Sequence, residues 1–354
     1  MRRTRLFLLV SAMFVPSGYA QGLFAQEATA RQEAVLTLIS DTLRIDTTYH
    51  SMEGPYHQVR FTIDPAGGSG IVWVTAMSAD VVTPDLAPLP VEFFCHANLD
   101  YDAEAHRQLF KTKRITTARL FTLSQGAEVM RFPEGFGIPV RTDEPLTLTT
   151  QVLSNNGVDA PKEVRVRIRL NYVKAGERKM KPLFLTAAMG AVATDGHKGH
   201  YGMHDDHEMG ESTSGVAKTQ SGFQDALGQK FTGHWIVPPG KHRVRSVVTK
   251  LMNLDSDVQV HYIGVHVHPF AKQITLRDMT TGKDVFSSQV TPLDGRIGIS
   301  KVTEFSSPDG LRLHDDHHYE LIADYENTTT ENVDAMAVLF LYVRDEELRA
   351  LEKL

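Results

Sequence analysis

Val164-Arg-Val-Arg-Ile-Arg-Leu170 alternates apolar and charged residues without a break. Successive side chains leave a pleated backbone on opposite faces, so period two marks a strand with one buried and one wet face. Four aliphatic side chains turn to a core here and three arginines to water. Working outward, Ile71-Val-Trp-Val-Thr-Ala-Met77, Val91-Glu-Phe-Phe-Cys-His96 and Leu146-Thr-Leu-Thr-Thr-Gln-Val152 also read as strands. Turn formers separate them, as in Asp64-Pro-Ala-Gly-Gly68 and Ser154-Asn-Asn-Gly157. A second strand-rich region starts near Pro182 and includes His242 to Thr249, Val258 to His268, Lys272 to Asp278, Tyr319 to Tyr325 and Met336 to Val343. Short strands at this spacing predict an all-β protein, with two jelly-roll-like antiparallel β-sandwich domains in tandem over residues 21–175 and 176–354. Residues 27–44 read as a lead-in of mixed helix and loop, residues 190–233 as a polar insert, and Asp345 to Leu354 as a terminal helical turn or two.

Composition narrows the function classes. A net charge of −6 over 354 residues offers no basic field for phosphates, which argues against a nucleic-acid partner. Arg2, Arg3 and Arg5 precede the apolar stretch Leu6 to Val15, and Gly18-Tyr19-Ala20 carries small residues at a cleavage position. This is the layout of a secretory signal peptide, residues 1–20, cut after Ala20, and it predicts a secreted or periplasmic protein. No later stretch is long and apolar enough for a transmembrane helix. Cys95 is the one cysteine, so no internal disulfide forms, and its thiol is either inert or a soft metal ligand. Because strand neighbours point apart, Cys95 and His96 are not expected to share a proton. Nucleophile-elbow, P-loop, dinucleotide-binding and zinc-protease motifs are absent from the sequence.

The chemistry-bearing residues are the histidines, 16 in all and clustered. In His266-Val267-His268, residues i and i+2 of a strand project two imidazoles from one face, at a separation suited to one metal ion. Polar filler on an exposed strand face is the competing reading. Met336 heads the apolar run Met336-Ala-Val-Leu-Phe-Leu-Tyr342. Its thioether is a soft donor that would select copper, although spacing alone does not bring it to His268, and a core role is the competing reading. A polar loop holds His197, His200, Met203, His204, His207 and Met209, a composition suited to loose copper capture or to a solvated loop with incidental histidines. His314-Asp-Asp-His-His318 reads as a polar turn before a strand.

Three stretches of the C-terminal half resemble the copper type II, ascorbate-dependent monooxygenases, the family of the peptidylglycine α-hydroxylating and dopamine β-hydroxylating enzymes. They are Trp235-Ile-Val-Pro-Pro-Gly-Lys241, Val258-Gln-Val-His-Tyr-Ile-Gly-Val-His-Val-His268 with Phe270-Ala-Lys272, and Tyr319-Glu-Leu-Ile-Ala-Asp-Tyr-Glu-Asn327 followed by the strand from Met336 to Tyr342. The resemblance spans roughly residues 182–343. It implies that His266, His268 and Met336 hold a copper where oxygen binds and C–H hydroxylation occurs, fed by ascorbate or another external reductant.

The N-terminal half is similar more faintly. The family's adjacent histidine pair for a second copper maps onto Cys95 and His96, and its later histidine, after a Gln-Val pair, onto Leu153. Cys95 and His96 are then a two-ligand remnant, with His57 a candidate substitute. Gly264 and Phe340 stand where the amidating enzyme has an arginine and a tyrosine for the peptide carboxylate, which argues against peptide amidation. Two functions follow. One is a copper monooxygenase acting on a small-molecule substrate. The other is a non-catalytic copper carrier of the periplasm or exterior, exchanging with a copper donor or acceptor. A sandwich that has lost its metal is the third, plainest reading.

Overall fold

The computed structural model describes residues 33–64, 68–113, 117–194, 223–225 and 227–354. The signal peptide and the loop residues His197, His200, Met203, His204, His207 and Met209 lie outside the described residues. Strands make up 56% of the structure and helix 7%, so the fold class is all-β. No helix among the described residues is long and apolar enough to cross a membrane.

A ten-stranded sheet is the backbone of the molecule. Its main path runs Ala34–Ile39, Lys162–Lys174, Ile71–Val82, Phe136–Arg141, Lys181–Met189, Ala337–Arg344, Val258–Val267 and Phe305–Leu313. Neighbours along that path are antiparallel except Phe136–Arg141 and Lys181–Met189, which run parallel through Phe136/Lys181 and Gly137/Pro182. A four-stranded sheet ordered Tyr56–Phe61, Leu146–Val152, Phe94–Tyr101 and Arg119–Ser124 makes the second layer of the first sandwich. A five-stranded sheet ordered Gly240–Val247, Tyr319–Asn327, Ala271–Asp278, Lys283–Pro292 and Ile299–Val302 does so for the second. The fold is therefore two antiparallel β-sandwiches, as the alternating patterns predict.

The strand Ala337–Arg344 belongs to both. Val338, Phe340 and Tyr342 enter the first core, while Ala337, Leu339, Leu341 and Val343 enter the second. Burial on both faces is why this stretch reads as a continuous apolar run rather than an alternation. The expected boundary at 175/176 falls in the turn between Lys162–Lys174 and Lys181–Met189. Residues Glu33–Leu354 form one compact unit, with the long sheet running through both sandwiches.

Two local expectations are corrected. Within 27–44, Ala34–Ile39 and Leu43–Ile45 are strands, because Lys162–Lys174 offers them a free edge that local propensity does not register. The described ends of the polar insert add a small sheet of Val192–Ala193, Lys230–Thr232 and Phe223–Gln224. The tail closes with a 3₁₀ turn at Arg349–Lys353.

Candidate metal centre

The strand Val258–Val267 delivers the His-x-His pair. Past a bulge at His261, Ile263, Val265 and Val267 fill the second core, so His266 faces the first sandwich. His266 and His268 are both buried, with ring centroids 5.4 Å apart and planes nearly perpendicular.

Register brings Met336 to them. Val267 pairs with Ala337, and the His268 N–H donates to the Met336 carbonyl at 3.3 Å. The Tyr325 hydroxyl donates to the same carbonyl at 2.6 Å. On its other side the chain pairs through Val333–Ala335 with Trp235–Val237, Ala335 lying opposite Trp235. Continued one residue past its last pair, that register would set His234 opposite Met336. Trp235, Val237, Ala335 and Ala337 all fill the second core. Alternation therefore turns His234, Asp334 and Met336 to the face that carries His266, and Met336 packs partly against the first core. His234 and His268 have ring centroids 5.6 Å apart.

The polar atoms of this face meet chiefly one another. Asp334 Oδ2 approaches His268 Nδ1 to 2.8 Å, and Asp334 Oδ1 lies 4.0 Å from His234 Nδ1. Apart from these ion-pair contacts, Nδ1 of His234, His266 and His268 and both Asp334 oxygens are buried and make no hydrogen bond. Stranding such atoms costs about 1–3 kcal/mol each, so a cluster of them calls for an explanation, a bound ion among the first. Burial pushes the His266 imidazole well below its usual range, and neighbouring His268 and His96 add to the shift. His234 is lowered by the same causes, burial and then His268. Neutral rings keep the lone pair that a metal needs. His266, His268 and Met336 fit copper in donor chemistry: two imidazoles and one thioether, with unengaged ring nitrogens.

Cys95 and His96 correct the expectation that neighbours diverge. Phe94 pairs with Val152 and His96 with Gln151, so Cys95 is the extra residue of a bulge, and its Sγ lies 3.1 Å from His96 Nδ1. Burial pushes the thiol up to about 12 and the imidazole down to about 4, so the pair is neutral at pH 7. Charge on Arg119, His268 or His234 further opposes protonation of His96, and Asp334 acts on Cys95. The remnant pair and the His-x-His cluster are electrostatically coupled. Leu153 is buried, its N–H donating to Phe93. His57 sits level with Thr150, which is level with Ala97, two strands away, and faces Asp41 at 3.4 Å.

A side chain at Gly264 would begin 2.7 Å from the Met130 methyl, so the space beside this glycine is filled by an apolar group. In the His314–His318 turn, Asp257, His314 and Asp316 are, among the described residues, the triad whose donor atoms lie within 4.8 Å of one another. Asp257 is already paired with Arg312 at 2.5 Å, and that guanidinium holds its carboxyl far below the usual range. His317 pairs with Asp278 at 2.7 Å. This is a surface ion-pair network.

Sequence reading missed His234 and Asp334. Asp334 was findable as the i−2 neighbour of Met336 on one strand face. Finding His234 required the pairing of Trp235–Val237 with Val333–Ala335.

Fold and site together define a double β-sandwich in which the buried His266 and His268 share a face with the half-buried His234, Asp334 and Met336. No family model matches the chain, and no curated protein matches it in sequence. Among solved structures it is similar to the major capsid protein P2 from bacteriophage PM2 (8% identity, 87% of this chain and 97% of that one, TM-score 0.31). It is also similar to PNGase F, a glycosylasparaginase from Flavobacterium meningosepticum (9% identity, 88% and 96%, TM-score 0.33). The cowpea mosaic virus top component gives 9% identity, 92% and 96% coverage and a TM-score of 0.36. Likenesses this distant carry no functional argument.

Proposed function

We propose that this chain is a secreted or periplasmic copper protein that holds the ion through His266, His268 and Met336 and hydroxylates C–H bonds of a small molecule. The observation that carries the reading is the pair of buried imidazoles without hydrogen bonds on the face that Met336 shares. Bound copper supplies one-electron chemistry and oxygen activation, with ascorbate or another external donor as reductant. His266 and His268 fix the ion on a rigid strand, and the Met336 thioether favours the reduced state. The packed residues around them keep bulk water from the reacting centre. Resemblance to the ascorbate-dependent monooxygenases supports the assignment, and the Cys95–His96 pair is the nearest feature to a second copper site.

Two observations favour a non-catalytic copper carrier as the second reading. Leu153 leaves the Cys95–His96 pair without a third ligand, and Met130 fills the space beside Gly264 where a substrate-binding cation is expected. The deciding experiment loads the chain with Cu(I) anaerobically, desalts it, and measures copper per chain and ascorbate-driven oxygen uptake. The monooxygenase reading expects at least one retained copper, its loss in Met336→Ala, and copper-dependent uptake. Retained copper without uptake selects the carrier. No copper, or unchanged copper in Met336→Ala, removes both readings.

A further inference from the structure

We propose that His234 and Asp334 join His268 in binding a divalent metal ion, giving the centre a nitrogen–oxygen donor face beside the His266/His268/Met336 set. The proposal shares His268 with the copper reading and stands whether or not Met336 is a ligand.

Asp334 is the starting point. Its side chain is 18% exposed as a whole, but both carboxylate oxygens are buried. Among the described residues its ion-pair partners are His268 and His234, and no lysine or arginine neutralises it. A mostly buried carboxylate needs a cation or strong hydrogen bonds, and neither oxygen has a hydrogen bond. Its two oxygens lie 2.8 Å from one imidazole Nδ1 and 4.0 Å from another, and neither of those nitrogens makes a hydrogen bond. Two imidazoles and one carboxylate side by side are a donor set for a divalent ion, which would draw together donor atoms that do not all lie within 4.8 Å of one another here. Carboxylate oxygen suits divalent zinc, cobalt or oxidised copper, whereas a thioether suits monovalent copper. The placement comes from the frame. Trp235–Val237 and Val333–Ala335 are paired strands whose other faces are locked in the second core; Asp334 lies within this pair and His234 in the two-residue link that leads into it.

Asp257, His314 and Asp316 are closer together, but Arg312 already occupies that carboxylate. The competing account of Asp334 is that it only orients the His268 ring. Orientation predicts that its loss disturbs Cu(I) and divalent binding alike. Ligation predicts that it disturbs divalent binding selectively.

The test titrates the metal-free full-length chain with Co(II), read by its visible absorption, and displaces it with Zn(II). One tightly held Co(II) per chain is expected. His234→Gln and Asp334→Asn are each expected to weaken Co(II) affinity tenfold or more, while Cu(I) content falls less and Met336→Leu leaves Co(II) binding unchanged. Circular dichroism of both variants checks folding, and two near-isosteric changes guard against one misfolding. A wild-type chain that binds no Co(II), or Co(II) affinity in both variants equal to that of the wild type, overturns the proposal. So does parallel loss of Cu(I) and Co(II). Met336-dependent Cu(I) uptake without Co(II) binding sinks this inference and leaves the copper reading standing. Co(II) binding with Met336-independent copper does the reverse.

Discussion

Cys95 is the single thiol of the chain, and burial holds its ionisation near pH 12. The thiolate is the reactive form, so native protein at pH 8 should resist iodoacetamide and the denatured chain should react fully. Intact-mass spectrometry checks this, and rapid native labelling would contradict the bulge geometry. Glu304 faces Tyr262 on its buried side, and burial raises its carboxyl to about 7. Its folded value lies above its unfolded one, so its contribution falls as pH rises from about 4.5 to 7. His96 is the opposite case, lowered to about 4, so its contribution is lost as pH falls from about 6.5 to 4. The two partly cancel between those limits. Glu304→Gln should match the wild type in stability at pH 4 and exceed it at pH 8 by on the order of 2 kcal/mol, read by urea unfolding of metal-free protein. Equal stability of the two chains at pH 8 would dismiss the raised carboxyl. The His266/His268 pair was legible in the sequence because an uninterrupted strand gives i and i+2 one face. Cys95 and His96 were misread because a bulge, invisible without the partner strand, cancels that rule.

Among the elements, Ala337–Arg344 separates the two cores while belonging to both. Leu339 and Leu341 are fully buried on its second-core face. Leu341→Ala should cost about 2–5 kcal/mol in urea unfolding, and a cost under 1 kcal/mol would mean that the strand is not packed as described. Gly54 tests a close approach of backbones, since a Cβ there would lie 1.9 Å from the Val152 carbonyl oxygen. Gly54→Ala should displace the end of the Leu146–Val152 strand and lower the melting temperature, while Gly70→Ala, with open space around it, should be nearly neutral. Strand identity was legible where alternation is unbroken, as in Val164 to Leu170, but not at Tyr56–Phe61, Lys283–Pro292 or Phe305–Leu313, which went unread. It was not legible at Ala34–Ile39, whose state is set by an edge that only the folded sheet supplies.

For the whole molecule, one sheet running through both sandwiches predicts one cooperative unfolding transition for Glu33–Leu354. Differential scanning calorimetry with matching calorimetric and van't Hoff enthalpies checks this, and two separated transitions would show that the sandwiches melt independently. Class and sandwich count followed from period two and turn signals. The joining of the sandwiches did not, because the link is a two-residue parallel register between Phe136–Arg141 and Lys181–Met189. Pairs so distant in sequence leave no local trace. The strand common to the two cores also sets an order of assembly. Ribosomes make chains from the N-terminus, so neither core can close before residue 344 has been made, and the strands that precede it wait for that shared wall. The nascent chain therefore has a long interval in which its apolar strands need protection from one another.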